Sequence, residues 1–348
     1  MASEPNAEVT PVAAGGPWHL AWRRLRRNRV ALGFLGLFAL IVVFVLAAPL
    51  WANEVAHTGP NATHTLEKIE VNGERREVVT REGKPIGPVW LGASGKFFLG
   101  ADGRLGRDEM VRLMYGGRIS LFIGFASALI TTVLATILGL LSGYNRGWTD
   151  TVISRTMDVI WAFPVMLLAI ALGLVLAVGG LQIGPLHISG SSIWIPILII
   201  GCVSVPYIAR PLRGQVLSLR EKEFVEAAAA QGAGPLRVMF GELLPNLWST
   251  IIVFFTLTIA NNMLLEAALS FLGVGVQPPG TSWGTMIAGG FELLTSAPLL
   301  TIIPGTMILL TVLSVNVFGD GLRDALDPNS KLRLEAHAGL AAPEGTAV

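Results

Sequence analysis

The chain has 348 residues, of which 52% are apolar and 14% charged, and its mean hydropathy is +0.61. Soluble domains carry about 25% charged residues, so this composition excludes an ordinary soluble protein and indicates a polytopic membrane protein. The net charge of +1 gives no overall attraction to nucleic acid, and the single cysteine excludes an internal disulfide and a C-x-x-C metal or redox site. The five histidines lack metal-ligand spacing, so no metal site is expected.

Six apolar segments meet or approach the length of about 20 residues that a helix needs to cross the hydrocarbon layer. They predict an all-α fold with six transmembrane helices at residues 30–50, 119–141, 159–181, 193–209, 248–272 and 297–319. The first segment follows an arginine-rich tail, as a signal peptide does. Its 21 uncharged residues exceed the length of a typical signal-peptide core, so we interpret it as a retained first span.

The distribution of lysine and arginine predicts the orientation, because basic residues near the ends of spans stay in the cytoplasm. With the N-terminus inside, the cytoplasmic segments carry 5, 2, 5 and 3 basic residues; these segments are 1–29, 142–158, 210–247 and 320–348. The two short external loops, 182–192 and 273–296, carry none. The sequence therefore predicts that both the N-terminal tail (1–29) and the C-terminal tail (320–348) are cytoplasmic.

The long segment 51–118, between the first span and the five-span core at 119–319, is predicted to be extracytoplasmic. It contains "LEKIEVNGERREVVTREGKPIGPVWLG", in which apolar and polar residues alternate on either side of "NGE". That pattern favours a β-hairpin, so we expect a small β-rich insertion here.

Small residues recur every four positions in the second predicted span, at Ser120, Gly124, Ala128, Thr132 and Thr136. Such a stripe lets another helix approach closely, so this span is expected to be covered by protein. Proline and glycine within the spans, including Pro164 and Pro304, favour a kinked bundle.

Few polar side chains lie deep in the predicted spans, and they are candidates for lining a translocation pathway: Asn261, Asn262, Glu266 and Asn316. Glu266 is the strongest candidate, because an ionisable group in lipid usually faces a cavity or a partner. The alternative is structural, since Asn262 and Glu266 are four residues apart on a helix and are able to hydrogen-bond each other or to cap the segment "LSFLG".

No energy source is evident in the sequence. A phosphate-binding loop is missing, because "GASGKF" has Phe97 where a magnesium-binding hydroxyl is required and Trp90 where the first glycine belongs. The spans also lack a relay of acids or histidines for proton coupling. Transport against a gradient would therefore draw its energy from another subunit.

The segment 218–245 predicts a helical hairpin in the cytoplasm. Ser218 and Glu221 form a capping-box pattern, so a helix is expected to begin near Leu219. Gly232 would close that helix, and Gly234-Pro235 would start a second one that ends near Leu244-Pro245.

Apolar residues of this hairpin are candidate anchors for a partner: Phe224, Leu236, Met239 and Phe240. A connector without a partner is the alternative interpretation.

The same segment resembles the EAA loop of permease subunits in binding-protein-dependent ABC importers, E-A-A-x-x-x-G-x9-I-x-L-P. The matching residues are Glu226, Ala227, Ala228, Gly232, Leu244 and Pro245, whereas Glu242 replaces an apolar residue. Four other stretches are similar to the C-type permeases of the dipeptide, oligopeptide and nickel importers: "LGADGRLGRDEMVRLMYGGRISL", "GYNRGWTDTVISRTMDVIWAFPVMLLAI", "EAALSFLGVGVQPPGTSWG" and "GDGLRDALDP".

The resemblance implies a permease core like that of type I ABC importers, in a bacterial inner membrane. It implies four kinds of association: a heterodimer with a homologous permease, two cytoplasmic ATPase subunits, an extracytoplasmic solute-binding protein, and lipid. ATP and magnesium would bind to the ATPases, so this chain would need no cofactor and would not be an enzyme.

In that family the EAA loop couples the ATPase to the spans, and Phe224 is expected to contribute to that contact. Asp150 and Asp158, in the other cytoplasmic loop, would form a secondary contact; Arg155 is also placed to pair with Asp158 within one helix.

Two other functions remain open from the residues alone. One is a proton- or ion-coupled secondary transporter that acts without an ATPase. The other is a membrane-anchored receptor that binds its ligand through residues 52–98. The substrate also stays open, because the family carries dipeptides, oligopeptides, nickel chelates and some glycans.

Overall fold

The structure is a computed structural model, and it describes residues 17–71, 73–89, 95–103 and 105–326. The outer parts of both predicted tails, 1–16 and 327–348, lie outside the described residues, as does Asn72 of the predicted hairpin turn. The described chain is mostly helical, in agreement with the predicted fold class.

The first span begins at a capped helix end. After α1 (Pro17–Leu25), helix α2 (Arg29–Leu46) starts at Asn28, whose side chain accepts a hydrogen bond of 3.0 Å from the Ala31 amide. The helix continues through α3 (Ala48–Leu50) and a π-helical turn (Trp51–Val55). The span predicted at 30–50 is therefore present and is about one turn longer.

The segment after this span contains two short antiparallel strands, β1 (Lys68–Val71) and β2 (Glu74–Glu77). They flank the predicted turn, where Gly73 has a φ of +81°. Below them, Val71, Val78, Val89, Phe97 and Ala101 form a small buried cluster. The rest of the described segment is largely turns and extended chain.

Ion pairs and hydrogen bonds between polar side chains stabilise this segment. Glu67 accepts from His64 Nδ1 at 2.6 Å and from Lys96 Nζ at 2.5 Å, and His64 Nε2 lies 2.8 Å from the Thr58 hydroxyl. Burial by itself raises the pKa of Glu67, but the neighbouring Lys96 and His64 outweigh burial and hold that pKa below its usual value.

Helix α4 (Glu109–Asn145) is the central helix of the bundle. It starts well before the predicted residue 119, because the Asp108 carboxylate caps it by accepting from the Val111 amide at 3.1 Å. Ser120, Gly124, Ala128 and Thr132 are buried, and a Cβ at Gly124 would collide with Met263. The prediction that the small-residue stripe is covered by protein is confirmed for these four residues, and the fifth, Thr136, is half-buried.

The third predicted span, 159–181, is not one continuous helix, and its break lies at Pro164, one of the prolines expected to kink the bundle. Helix α5 (Gly147–Ala162) ends before Phe163-Pro164, and α6 (Val165–Gly179) leaves at an angle of 88°. Pro164 explains the break, because its ring disfavours helical geometry at the preceding residue and it lacks an amide hydrogen. Two unpredicted strands follow, β3 (Leu181–Ile183) and β4 (Leu186–Ile188), and they pair antiparallel.

The remaining elements complete the bundle. They are α7 (Trp194–Val203), α8 (Val205–Arg220), α9 (Glu223–Ala230), α10 (Pro235–Arg237), a π-helical stretch (Val238–Leu243), α11 (Leu244–Phe271), α12 (Trp283–Phe291) and α13 (Leu299–Leu326). Helix α13 runs into the predicted C-terminal tail. Helix α12 was missed; it begins at a capping box of Ser282 and Thr285.

The count of spans depends on the bent pair. The described residues contain five helices that are long and apolar enough to cross a membrane, or six if α5 and α6 together count as one span. Helix α4 packs against α2, α7, α8 and α11, whereas α13 packs against α2, α11 and α12.

Candidate functional site

The predicted hairpin is present, but its first helix begins later than expected. Helix α8 continues through Ser218 to Arg220, and the chain turns at Glu221 and Lys222 before α9 starts. The capping box of Ser218 and Glu221 is therefore wrong, because Ser218 lies inside a helix whose amides already have partners. Lys222, with extended backbone, takes the N-cap position and gives no side-chain cap.

The glycine turn has the hydrogen bonds of a Schellman motif. Gly232 has a φ of +85°, its amide donates to the Ala229 carbonyl at 3.0 Å, and the Ala233 amide donates to the Ala228 carbonyl at 3.1 Å. This motif closes α9 with a residue in the left-handed region, as the sequence predicted for Gly232. Pro235 then begins the next helix.

Four buried apolar residues anchor the hairpin to the body of the protein. They are Val225, Val238, Met239 and Leu243, and they share a cluster with residues of α4, α8 and α11, including Leu140, Val216 and Leu247. Met239 is therefore not available to a partner, which corrects its prediction as an anchor. Met239 is buried because it lies one helical turn before Leu243, on the same buried face of the helix.

The opposite side of the hairpin is exposed. Phe224, Leu236 and Phe240 are 37%, 67% and 54% exposed. Glu226, Ala227, Gly232 and Pro245 are also exposed, whereas Ala228 and Leu244 are half-buried. The motif residues thus form a small, mostly open surface with an apolar margin.

The second helix of the hairpin does not end at Leu244-Pro245, in contrast to the prediction. The helical path runs from Pro235 through the π-helical stretch into α11 and reaches Phe271, 37 residues in all. Pro245 is tolerated because it lies in the first turn of α11, next to the wider π-helical turns. The second helix of the hairpin and the fifth span are therefore one continuous helical path.

The two aspartates of α5 bind arginines of α8. Asp150 accepts two hydrogen bonds from Arg213, at 2.6 Å from Nε and 2.7 Å from Nη2. Asp158 accepts one from Arg210 at 2.6 Å, while Arg155 lies 3.6 Å away within α5. The predicted Arg155–Asp158 pair is present but is the longer of the two contacts.

Glu266 is buried where α4, α11 and α12 meet. Its two carboxylate oxygens accept from the Ser120 hydroxyl at 3.0 Å and the Ser270 hydroxyl at 2.7 Å. These hydroxyls in turn accept from the backbone amides of Trp283, at 3.1 Å, and Val276, at 3.0 Å. One carboxylate thereby joins two helices and the loop that leads into α12.

Asn262 has its own partners and does not bond to Glu266. It donates to the Ser127 hydroxyl of α4 at 3.0 Å and accepts from the Ser204 hydroxyl, between α7 and α8, at 3.1 Å. The pairing of Asn262 with Glu266 within the helix is therefore wrong, because both side chains reach across to other helices. Asn261 is exposed and Asn316 is half-buried.

Sequence reasoning missed the partners of these groups, namely Ser120 as a hydrogen-bond donor, Ser127, Ser204, Arg210 and Arg213. The spacing of Arg210 and Arg213 could have indicated the two arginine partners, because residues three apart lie on the same face of a helix. Over the part of the chain that the structure covers, no three His, Cys, Asp or Glu side chains form a group able to hold a metal ion.

Two protein families match the chain. Residues 135–331 match the binding-protein-dependent transport system inner membrane component, and residues 16–66 match the N-terminal transmembrane domain of oligopeptide transport permease C. The first match alone covers more than half of the 348 residues and contains the hairpin, α5 and α11.

Curated relatives are similar over almost their whole length. The dipeptide transport system permease protein DppC of Alkalihalophilus pseudofirmus is 35% identical over 334 residues, 95% of this chain and 97% of the relative. The glutathione transport system permease protein GsiD of Pectobacterium atrosepticum is 36% identical over 315 residues, 90% of this chain and 92% of the relative.

A solved structure shows the same fold. An inward-facing form of the MetNI methionine ABC transporter aligns with a TM-score of 0.51 and 18% identity, covering 63% of this chain and 97% of the matched chain. At this identity the likeness extends to the fold alone. Together with the matched families and relatives, it shows that the chain belongs to the binding-protein-dependent transport system inner membrane components, as a non-catalytic permease subunit of an ABC transporter.

Proposed function

We propose that this permease subunit imports peptides and that separate ATPase subunits drive it through the hairpin 218–245. The observation that supports coupling is the exposure of the motif residues Glu226, Ala227, Gly232 and Pro245 on the hairpin. A short helix with open small residues and a rigid glycine turn is suited to docking in a groove, and the apolar Phe224, Leu236 and Phe240 would be covered there. Peptides are proposed because the relatives are named for dipeptide and glutathione transport.

The direct link from the hairpin to the fifth span supports a mechanism. Because Pro235–Phe271 is one helical path, a displacement at Pro235 reaches the buried Asn262 and Glu266 without crossing a loop. The hairpin would thus act as a lever on the span. The ATPases would hydrolyse ATP with magnesium, and this chain would contribute the path of the solute.

The remaining partners are proposed from the family. A homologous second permease would complete the pathway, and α4 offers it an apolar face that the described chain leaves exposed, at Phe122, Phe125, Leu129, Val133 and Ile137. A solute-binding protein would dock on the outer side, over the segment 51–118. We place both termini in the cytoplasm of a bacterial cell, by the distribution of basic residues.

The pathway residues are also part of the proposal. Asn261, Asn262, Glu266 and Asn316 would lie along or beside the route of the solute. The buried position of Glu266 and its hydrogen bonds to Ser120 and Ser270 favour a supporting role in this conformation. Direct contact with the solute would require α4 and α11 to separate.

The coupling proposal is tested by Glu226→Lys, with the permease purified from cells that express its ATPase subunits. We expect about tenfold less co-purified ATPase, equivalent to about 1.4 kcal/mol, because the reversed charge lies on the exposed motif surface. Arg81→Glu, an exposed charge reversal in the external segment, is the matched control and should leave ATPase capture unchanged. Normal capture by Glu226→Lys would rule out this surface as the ATPase contact.

A further inference from the structure

Helix α5 has little apolar anchorage. Among its described residues only Met157 is buried, whereas Trp148 is 85% exposed and Val159 is 63% exposed. Amphipathic helices are normally held by a continuous apolar face. Other contacts must therefore define how α5 lies on the bundle.

Two ion pairs supply those contacts, and both join α5 to α8. Asp150 binds Arg213 through two parallel hydrogen bonds, and these side chains are only 20% and 32% exposed. The second pair, Asp158 and Arg210, lies eight positions along α5, and the Arg210 guanidinium stacks 4.1 Å from the ring centre of Trp161. Bidentate arginine–carboxylate pairs fix orientation as well as distance.

The two attachment points are far enough apart to prevent α5 from pivoting. Eight residues of helix correspond to about 12 Å, so a rotation about one pair would break the other. Both arginines belong to α8, which ends at Arg220, and only two residues separate it from the start of α9 at Glu223. Helix α8 thus connects the hairpin to α5.

We propose that Asp150–Arg213 and Asp158–Arg210 are positioning residues for energy coupling, which bind α5 to α8 so that motion of α9 also moves α5. This inference rests on the proposed coupling role of the hairpin. Helix α6 follows α5 after the break at Phe163-Pro164, at an angle of 88°. The hairpin is therefore connected to two elements, to α11 directly and to α5 through α8 and the ion pairs.

The proposal assigns the aspartates to an intrachain role. Their carboxylates are occupied by arginines of the same chain, so they are not free charges that await an ATPase side chain. The secondary contact with the ATPase that the sequence predicted for Asp150 and Asp158 is the rival explanation, and a charge exchange separates the two.

The experiment uses the complete complex, reconstituted in vesicles with its ATPase and binding protein. Asp150→Arg, Arg213→Asp and the double variant are compared by solute transported per ATP hydrolysed and by co-purified ATPase. We expect each single variant to lower the transport ratio at least about fivefold with ATPase capture unchanged, and the double variant to restore most of it. Thr156→Ala is the control on α5, because the exposed Thr156 hydroxyl bonds to the Val152 carbonyl of the same helix and not to α8; it should have no effect.

Three results would overturn the proposal. A normal transport ratio in the single variants would show that the Asp150–Arg213 pair has no role in coupling. Loss of ATPase capture in Asp150→Arg without recovery in the double variant would favour direct contact with the ATPase. A double variant that captures ATPase but stays uncoupled would show that exchanging the charges does not restore function.

If charge reversal prevents folding, Asp150→Asn and Asp158→Asn replace it, with the same ratio expected to fall. Failure of the hairpin proposal is recognised separately, by normal ATPase capture in Glu226→Lys.

Discussion

At the scale of single residues, buried polar side chains form hydrogen bonds between helices. Without these bonds, the helices would associate in the membrane only through close packing of their side chains. Glu266 and Asn262 both lie on α11 and both reach α4, through Ser120 and Ser127. Between apolar surfaces such hydrogen bonds fix which faces of two helices meet. Their role is most directly measured by removing the acceptor.

Replacing Glu266 by alanine should lower the free energy of unfolding by about 1–3 kcal/mol, because the hydroxyls of Ser120 and Ser270 lose their acceptor in a buried site. Denaturant unfolding of the purified permease in detergent micelles measures this change. Asn261→Ala is the control on the same helix, since Asn261 is exposed, and it should change stability by less than about 0.5 kcal/mol. Equal effects of the two variants would contradict the role given to Glu266.

At the scale of elements, the hairpin depends on a backbone conformation and the third span on a proline. Gly232 and Gly234 both have open space around the position of a Cβ, yet their backbones differ. Gly232 has a φ of +85°, whereas Gly234 has a φ of −68°, which any residue can adopt. The two glycines therefore form a matched pair in which only conformation distinguishes the effects of a substitution.

Gly232→Ala should destabilise the hairpin by roughly 1–2 kcal/mol, since an alanine in the left-handed region brings its Cβ close to its own backbone. We expect faster amide hydrogen exchange in α9, measured by mass spectrometry, and weaker capture of the ATPase. Gly234→Ala should leave both unchanged. Equal exchange rates in the two variants would show that the left-handed turn does not limit the stability of α9.

At the scale of the whole molecule, the five apolar helices and the bent pair predict how the chain crosses the membrane. The described structure fixes which helices are neighbours, whereas the distribution of basic residues predicts which end faces the cytoplasm. The segment 51–118 and the hairpin 218–245 are then expected on opposite sides.

Cysteine labelling tests this orientation, and the single native cysteine makes the background simple. In a Cys202→Ser chain, Arg81→Cys should react with a membrane-impermeant maleimide added to spheroplasts. Glu226→Cys should react only after the membrane is permeabilised. Labelling of both positions from the same side would contradict the proposed topology.

The sequence by itself determined the class of the protein, the position of most spans and the hairpin motif. Long apolar runs specify helices 30–50, 119–141 and 248–272 because lipid leaves an unpaired backbone no alternative. Gly232 was identified for a similarly local reason, since closing a helix in the left-handed region favours glycine.

Only the tertiary structure decided the contacts between distant parts of the chain. Pro164 predicted a kink at this point of the chain. The size of the angle between α5 and α6, 88°, depends on what each helix packs against. Asp150 and Glu266 were visible as charges, while their partners, Arg213 and Ser120, lie 63 and 146 residues away along the chain. Local sequence encodes helices and turns, whereas the partners of polar groups are set by which helix faces meet when the bundle packs.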